Sequence, residues 1–248
     1  VKKVNLKNSF SFTSHITVYE TCALQYKFYK ELEFMPVRQN AMMFGTLVHE
    51  TIEDIHRAAI RGEVDKITND NIATWFESNY NSLVKSEHTY LAALSQVERY
   101  AERMDGKWAS VQQAEVDVSL VKEDYIIDGK IDLVKGVDGT VEIVDFKSER
   151  KPDMVKMRER LEHYRRQLQI YAYLIEQRTG QKVSKMHLYY TGEENGNPMI
   201  TYPYTRTAIE GTVAAFDDTV HKILRKDFKH RCDDAKTCKN CDFRYYCN

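Results

Sequence analysis

The chain has 248 residues and a formal net charge of −1, because 36 lysines and arginines are balanced by 37 aspartates and glutamates. Hydrophobic residues make up 42% and charged residues 29% of the sequence, a balance typical of a globular protein and too apolar for a disordered chain. No apolar run reaches the roughly 18 residues that a membrane-spanning helix needs. The N-terminus has no apolar signal region, so we expect a cytoplasmic protein.

The charge is unevenly distributed along the chain. Residues 147–166 and residues 221–231 each carry a net charge of +4, so the remainder of the chain is acidic. Two basic segments on an acidic body are typical of a surface that binds phosphate groups. The alternative is that both segments are solvated helix faces, and charge alone favours that more common case.

Hydrophobic spacing and turn residues predict a helical first part followed by a mixture of strands and helices. The helices predicted before residue 105 cover 16–32, 41–61, 69–83 and 90–104. Strands are predicted over 111–121, 125–134, 141–147, 183–191 and 199–204, with further helices over 153–178 and 208–229. This order predicts an α/β fold with a helical insertion over about residues 40–105. No linker is evident, so we expect a single domain over residues 1–248, with its core at about 108–205.

The most informative stretch is a predicted hairpin around Asp138-Gly139, a dipeptide that favours two-residue turns. Such a turn pairs residues whose numbers add to 277, which puts Asp132 opposite Asp145. Their Cβ atoms would then lie about 4.5–5.5 Å apart, so the two carboxylates repel each other unless a cation lies between them. Oxygen ligands favour Mg²⁺ or Mn²⁺ as that cation. Lys147, on the same strand face, would then orient an attacking water. The alternative is an exposed hairpin with solvated charges.

Two pairs of residues four apart on predicted helices could extend this site. His49 shares a helix face with Gly45, whose missing side chain would let another backbone or a ligand approach. A neutral imidazole there is a possible third metal ligand. Gln167 and Tyr171 flank the buried stripe of their predicted helix and could reach the cleft or a phosphate. For both pairs, ordinary packing is the alternative.

Four of the five cysteines lie within residues 232–247. Cys238, Cys241 and Cys247 have the compact spacing of metal ligands, and the fourth ligand is open. Cys232 would complete a small local zinc knot. Cys22 is distant along the chain, and a four-thiolate iron–sulfur cluster is the other option. With Cys22 as a ligand, the site would hold the two ends of the chain together.

In combination, these motifs resemble the PD-(D/E)XK nuclease superfamily, in its RecB-like branch with an iron–sulfur cluster. The opening from Ser11 to Lys27 is similar to the nuclease module at the C-terminus of UvrD-like helicases. It departs from that module at Ala23, where a proline usually follows the first cysteine. The other matching segments, in the family's order, are Gly45-Thr46-Leu47-Val48-His49-Glu50, Gly129-Lys130-Ile131-Asp132, Asp145-Phe146-Lys147, Gln167-x3-Tyr171 and the cysteine set.

The resemblance implies a restriction-endonuclease-like core, in which a small mixed central sheet is flanked by helices. It also implies a 4Fe–4S cluster that joins the N- and C-terminal segments through Cys22, Cys238, Cys241 and Cys247. The implied metal ligands are His49, Asp132, Asp145 and the backbone carbonyl of Phe146. Lys147 is the implied catalytic lysine, Gln167 and Tyr171 help to bind or orient DNA, and Glu115 is an accessory acidic group.

The expected function is therefore Mg²⁺- or Mn²⁺-dependent hydrolysis of DNA, by an exonuclease acting on single strands or DNA ends in repair or recombination. The sequence has no Gly-x4-Gly-Lys-Ser/Thr loop, so a helicase motor would lie in a longer chain or a partner subunit. The candidate DNA contacts are Arg150, Lys151, Arg165, Arg166 and Tyr171.

Two alternatives fit the same motifs. A stand-alone exonuclease of the CRISPR-adaptation type would share the motifs and the cysteine order. A non-catalytic module stabilised by zinc would instead bind DNA or dock a helicase.

Overall fold

The computed structural model describes residues 7–35, 40–82 and 87–247. Within these ranges the strands are β1 (Ser9–Ser11), β2 (Val111–Val121), β3 (Ile126–Val137), β4 (Thr140–Lys147), β5 (Val183–Tyr190) and β6 (Met199–Pro203). The helices are α1 (Thr17–Thr21), α2 (Ala23–Tyr26), α3 (Asn40–Ile60), α4 (Asn69–Ser82), α5 (Glu87–Met104), α6 (Arg158–Thr179), α7 (Arg206–Leu224) and α8 (Ala235–Lys239). None of these helices is long and apolar enough to cross a membrane.

The strands form a mixed six-stranded sheet in the order β1-β3-β4-β5-β6, with β2 also paired to β3. The β3–β4 and β5–β6 pairs are antiparallel, whereas β1–β3 and β4–β5 are parallel. The parallel β4–β5 pair is connected through α6, because parallel neighbours need a long crossover. The predicted α/β fold with a small mixed sheet and helices is therefore confirmed.

The chain divides into two compact units. The first unit comprises residues 1–37, 119–129 and 206–248, and the second comprises residues 38–118 and 130–205. The second unit holds the predicted helical part, α3 to α5, together with β4, β5, β6 and α6. Strand β3 contributes its first residues to the first unit and the remainder to the second.

The core of the second unit forms between the helical part and the sheet. The side chains of Val48 and Ile55 on α3 and Phe76 on α4 are fully buried in it. Phe146 of β4 packs in the same cluster. Each fully buried aliphatic or aromatic side chain of this size contributes about 1.5–3 kcal/mol. These buried side chains therefore anchor the helix that also carries His49.

The β3–β4 hairpin has the predicted turn and register. Asp138 and Gly139 both have positive φ, at 44° and 78°, as a type I′ turn requires. The pairs run from Val137–Thr140 to Leu133–Val144, and the residue numbers of every pair add to 277. Asp132 and Asp145 are the next residues on the two strands.

The helix predicted over residues 16–32 is interrupted. Cys22 has an extended backbone, with φ −163° and ψ 112°, and it separates α1 from α2. The backbone N–H of Ala23 donates to the carbonyl of His230 at 3.1 Å. This contact with the C-terminal segment replaces the helical hydrogen bond that local periodicity would predict.

Helix α6 begins later than its predicted start at residue 153. Asp153 Oδ1 accepts hydrogen bonds from the backbone N–H groups of Val155 at 2.9 Å and Lys156 at 3.0 Å. Such a side-chain turn competes with the helix for these backbone groups. The helix ends where predicted, because Gly180 has the left-handed φ of 71° that a helix C-terminus favours.

The predicted cysteine-ligated cluster is not evident in the fold. All five cysteines are free thiols. Among the described residues, no cysteine belongs to a group of three ligands whose atoms all lie within 4.8 Å of one another. The thiols instead surround one cavity of about 300 Å³ in the first unit, lined by Cys22, Gln25, Arg231, Cys232, Thr237, Cys238, Cys241, Arg244 and Cys247.

Candidate active site

Three potential metal ligands converge in the second unit. His49 lies on α3, Glu115 on β2 and Asp132 on β3, and one ligand atom of each lies within 4.8 Å of the others. His49 Nδ1 is 3.5 Å from Asp132 Oδ2. Two carboxylates and an imidazole form a donor set that could hold a divalent cation. The structure thus brings together the predicted ligands His49 and Asp132 with Glu115, the accessory acidic group that the resemblance implied, whereas the predicted ligand Asp145 is not part of this group.

Glu115 has an unusual backbone for a strand residue. Its φ is 49°, a left-handed conformation that costs about 1–3 kcal/mol for a residue other than glycine. Its carboxylate is 13% exposed and pairs with Lys130 at 2.6 Å. Strain of this kind clusters near functional sites. Strand periodicity does not single out Glu115, which is why only the resemblance pointed to it.

Asp145 is held by a different set of partners. Gln167 Nε2 donates a hydrogen bond to Asp145 Oδ1 at 2.9 Å, and Lys147 Nζ lies 2.5 Å from Asp145 Oδ2. Gln167 Nε2 also lies 2.9 Å from the hydroxyl of Tyr171. Both members of the pair predicted from helical spacing are therefore buried, with Gln167 against the Asp145 carboxylate and Tyr171 against Gln167.

Burial and neighbouring charges shift the pKa values of these groups. Burial raises the pKa of Asp132 well above its usual range; the His49 side chain opposes this rise and the Asp145 carboxylate adds to it. The backbone N–H of Phe146 donates to Asp132 Oδ2 at 2.7 Å, which favours the ionised form. Burial alone would lower the pKa of Lys147, but the adjacent Asp145 carboxylate outweighs it and raises that pKa.

A cavity of about 420 Å³ opens beside the potential ligands and is lined by Gly45, Thr46, His49, Glu50, Glu53, Glu115, Lys130 and Asp132. Burial, with nearby carboxylates, raises the pKa of both Glu50 and Glu53. Neither glutamate is among the predicted site residues, although Glu53 lies four residues after His49 and so shares its helix face.

Gly45 explains how α3 approaches the end of β4. A Cβ atom at this position would lie 3.1 Å from Ser148 Oγ, closer than ordinary van der Waals contact. Ser148 directly follows Lys147 in the chain. The absence of a side chain at Gly45 therefore allows the helix that carries His49 to lie against the strand end that carries Lys147.

The candidate DNA contacts differ in their accessibility. Arg150 is 73% exposed and pairs with Glu194 at 3.0 Å, and Arg165 is 41% exposed and pairs with Glu162 at 2.7 Å. Arg166 is half-buried on α6.

Two further candidates are engaged within the protein. Lys151 Nζ donates to the carbonyls of Asn197 at 3.0 Å and Met199 at 2.9 Å. Tyr171 is only 5% exposed, so its ring offers no open face to a base. The position of Tyr171 fits the orientation of Gln167 rather than direct stacking on DNA.

Comparisons with known proteins bear on the fold and the family of the chain. No curated protein matches the chain. Among solved structures, the chain is similar to the "Putative exonuclease" of Eubacterium rectale, with a TM-score of 0.59 and 15% identity over 97% of this chain and 88% of that chain. It also matches SSO0001, with a TM-score of 0.40 and 17% identity over 90% of this chain and 94% of that chain.

The structural likeness concerns the fold alone, because both identities are low. The sequence itself is more decisive, since residues 9–248 match the profile of one family. That match contains the β3–β4 hairpin with Asp132, Asp145 and Lys147, and also His49 and Gln167. This chain therefore belongs to the PD-(D/E)XK nuclease superfamily.

Proposed function

We propose that this protein is a Mg²⁺- or Mn²⁺-dependent DNA nuclease that hydrolyses phosphodiester bonds. The observation that carries the proposal is the convergence of His49, Glu115 and Asp132 together with the contact between Asp145 and Lys147. A cluster of potential metal ligands near a buried lysine–carboxylate pair provides the groups that phosphodiester hydrolysis needs.

The residues present fit a divalent cation. Among the described residues, the buried Asp145 Oδ2 has no hydrogen-bond partner of regular geometry, and the Lys147 ammonium lies 2.5 Å from it. The Asp145 charge also raises the pKa of Asp132, a repulsion that a bound cation would relieve. His49, Asp132 and Asp145, with Glu115 and the backbone carbonyl of Phe146, would hold the metal. When bound, it would stabilise negative charge on the phosphate and make a bound water more acidic.

Besides the proposed metal, the ammonium of Lys147 supplies positive charge at this site. The adjacent Asp145 carboxylate raises its pKa, which favours the protonated ammonium, a hydrogen-bond donor. Its Nζ contacts Asp145 Oδ2 and lies 3.5 Å from Gln167 Oε1, which leaves donor capacity for a phosphate oxygen or the attacking water. Gln167 holds the other oxygen of Asp145 and so fixes both reacting side chains.

We propose that the substrate is single-stranded DNA or a DNA end and that the protein acts on it as an exonuclease. Residues 147–166 carry a net charge of +4, and the exposed guanidinium group of Arg150 and the half-buried one of Arg165 suit a phosphate backbone. The relative from Eubacterium rectale is also named as an exonuclease. We place this activity in DNA repair or recombination, with a helicase motor in the same longer protein or in a partner.

The cleavage test uses the purified protein with Mg²⁺ or Mn²⁺ and DNA labelled at either end, both single-stranded and double-stranded. We expect wild-type cleavage, and loss of it in Asp132→Asn, Asp145→Asn and Lys147→Ala variants that retain the wild-type melting temperature. Equal cleavage by the wild type and the variants would reject the assignment, because a contaminating nuclease would then account for the products.

We further propose that Cys22, Cys238, Cys241 and Cys247 hold a 4Fe–4S cluster. The thiols line one cavity of about 300 Å³, and among the described residues no three of their sulfurs lie within 4.8 Å of one another. Sulfurs bound to one zinc ion at about 2.3 Å would lie closer together than that. Cys241 Sγ accepts hydrogen bonds from the backbone N–H of Phe243 at 3.4 Å and from Gln25 Nε2 at 3.6 Å. Hydrogen bonds to sulfur are what a cluster-bound thiolate receives.

Colour and metal content separate the cluster from a zinc site. Protein purified without oxygen should be brown, with iron and sulfide in equal amounts. Cys22→Ala should abolish the colour, whereas Cys232→Ala should keep it. A colourless protein that binds zinc, and loses it in Cys232→Ala but not in Cys22→Ala, would support the local zinc knot.

A further inference from the structure

The ring of Tyr164 lies against the ammonium of Lys147. Lys147 Nζ is 4.2 Å from the centre of the ring, well within the range in which a cation is attracted to an aromatic face. The polar partners of the same ammonium are Asp145 Oδ2 at 2.5 Å and Gln167 Oε1 at 3.5 Å. Since the Lys147 side chain is only 17% exposed, the ring limits the positions that the ammonium can take.

Tyr164 is itself fixed by a charged partner on the same helix. Arg160 Nε donates a hydrogen bond to the Tyr164 hydroxyl at 2.9 Å, as its position four residues earlier on α6 allows. Arg160 Nη2 donates to Glu149 Oε2 at 2.6 Å. Glu149 lies two residues after Lys147. The contacts therefore run from Lys147 through Tyr164 and Arg160 back to the end of the same strand, β4.

We infer that Tyr164 is a positioning residue for Lys147: its ring, held by Arg160, keeps the ammonium directed at Asp145 and at the reacting phosphate. This inference rests on the proposed nuclease function, because it assigns a part in that reaction. Base stacking is the other use that DNA could make of this ring. The positioning role is favoured by the geometry, since a cation already lies over the ring.

The physical consequence concerns turnover more than binding. A lysine ammonium has three N–H donors on a flexible four-carbon stem. Two of these donors point at Asp145 and Gln167. The Tyr164 ring restrains rotation of the Lys147 side chain, so that the third donor stays near the reacting group. Without the ring, the ammonium samples more positions, which slows the chemical step and leaves DNA affinity unchanged.

Nuclear magnetic resonance tests the geometry without any cleavage. In protein labelled with ¹³C-lysine, the Hε signals of Lys147, assigned with Lys147→Arg, should be shifted upfield by the ring current of Tyr164. We expect Tyr164→Leu to remove this shift and Tyr164→Phe to keep it. Tyr173→Leu is the matched control, since Tyr173 lies nine residues on and on the opposite face of α6. An unchanged Lys147 signal in Tyr164→Leu would overturn the inference.

Kinetics then separate positioning from stacking. We expect Tyr164→Leu to lower kcat about tenfold, with the Kd for single-stranded DNA in EDTA unchanged, and Tyr164→Phe to stay near wild type. Weaker DNA binding with an unchanged kcat would overturn positioning in favour of base stacking. If the wild type does not cleave DNA, the proposed function fails, while the Lys147 signal still decides whether the ring holds the ammonium.

Discussion

Gln167 holds the Asp145 carboxylate oxygen that Lys147 does not contact, through a hydrogen bond of 2.9 Å from Nε2 to Oδ1. The same nitrogen lies 2.9 Å from the hydroxyl of Tyr171, so the tyrosine fixes which way the amide points. Both Gln167 and Tyr171 are 5% exposed. In the proposed reaction the pair would therefore act through Asp145, without touching the substrate.

From this contact we predict different effects for two substitutions. Gln167→Leu leaves one oxygen of a buried carboxylate without its donor, and we expect roughly 10- to 100-fold lower kcat, because a hydrogen bond to a charged group contributes about 1.5–3 kcal/mol. Tyr171→Phe removes only the hydroxyl that contacts the Gln167 amide, so it should lower kcat less than tenfold. Steady-state cleavage rates measure kcat for both variants. A larger loss of kcat in Tyr171→Phe than in Gln167→Leu would contradict the prediction that Tyr171 acts through Gln167.

A second prediction concerns the end of β4. Gly192 donates from its backbone N–H to the Glu149 carbonyl at 3.2 Å, and a Cβ atom on it would lie 2.6 Å from the carbonyl carbon of Glu149. Gly192→Ala must therefore displace the backbone next to Lys147. We expect about 1–3 kcal/mol lower stability and reduced cleavage, measured by urea unfolding and by kcat.

Gly211 on α7 is the matched control for that substitution. A Cβ atom there meets nothing within 4 Å, and alanine is the better helix former by up to about 1 kcal/mol. Gly211→Ala should be neutral or slightly stabilising and should leave cleavage unchanged. If Gly192→Ala behaved in the same way, the close approach would not constrain the strand end.

The hairpin that brings Asp132 towards Asp145 could be predicted from sequence because its causes are local. The Asp138-Gly139 turn fixes the register, and strand alternation places both carboxylates on one face. The helical spacing of Gln167 and Tyr171 was equally visible, because residues four apart on a helix are neighbours.

Other features depend on contacts that local patterns do not show. The break at Cys22 depends on a hydrogen bond from Ala23 to the distant carbonyl of His230. Glu115 reaches the potential metal ligands through a left-handed backbone that strand periodicity does not predict. The partners of Lys147 come from α6, and which helix residue meets the ammonium depends on how the helix packs on the sheet.

A third prediction concerns pH and stability. His56 is buried beside Tyr100, with Nε2 2.6 Å from the tyrosine hydroxyl, and burial lowers its pKa from 6.5 to about 3. In the folded protein His56 therefore stays neutral above about pH 3, whereas in the unfolded chain it takes up a proton below about pH 6.5. The contribution of His56 to the free energy of unfolding is therefore fully present above pH 6.5 and is lost as the pH falls towards 3. Between pH 7 and pH 5 this loss amounts to about 2 kcal/mol.

Urea unfolding at several pH values checks this slope. His56→Gln should flatten the dependence of the unfolding free energy on pH by that amount. Tyr100→Phe removes the hydrogen bond but keeps His56 buried, so it should lower stability and leave the slope in place. If the slope survives in His56→Gln, the acid sensitivity has another origin.

The last prediction concerns the metal and uses binding in place of cleavage. Glu115 lies with His49 and Asp132, so we expect Glu115→Gln to weaken Mn²⁺ binding about tenfold in calorimetry, because a neutral amide is a poorer ligand than a carboxylate. Glu53→Gln is the control, since Glu53 lines the same cavity but is not among the three converging ligands. Affinity should also fall with decreasing pH, because the raised pKa of Asp132 lets protons compete with the metal. If Glu115→Gln binds Mn²⁺ as well as the wild type does, then Glu115 serves only as the partner of Lys130, and the metal is held without it.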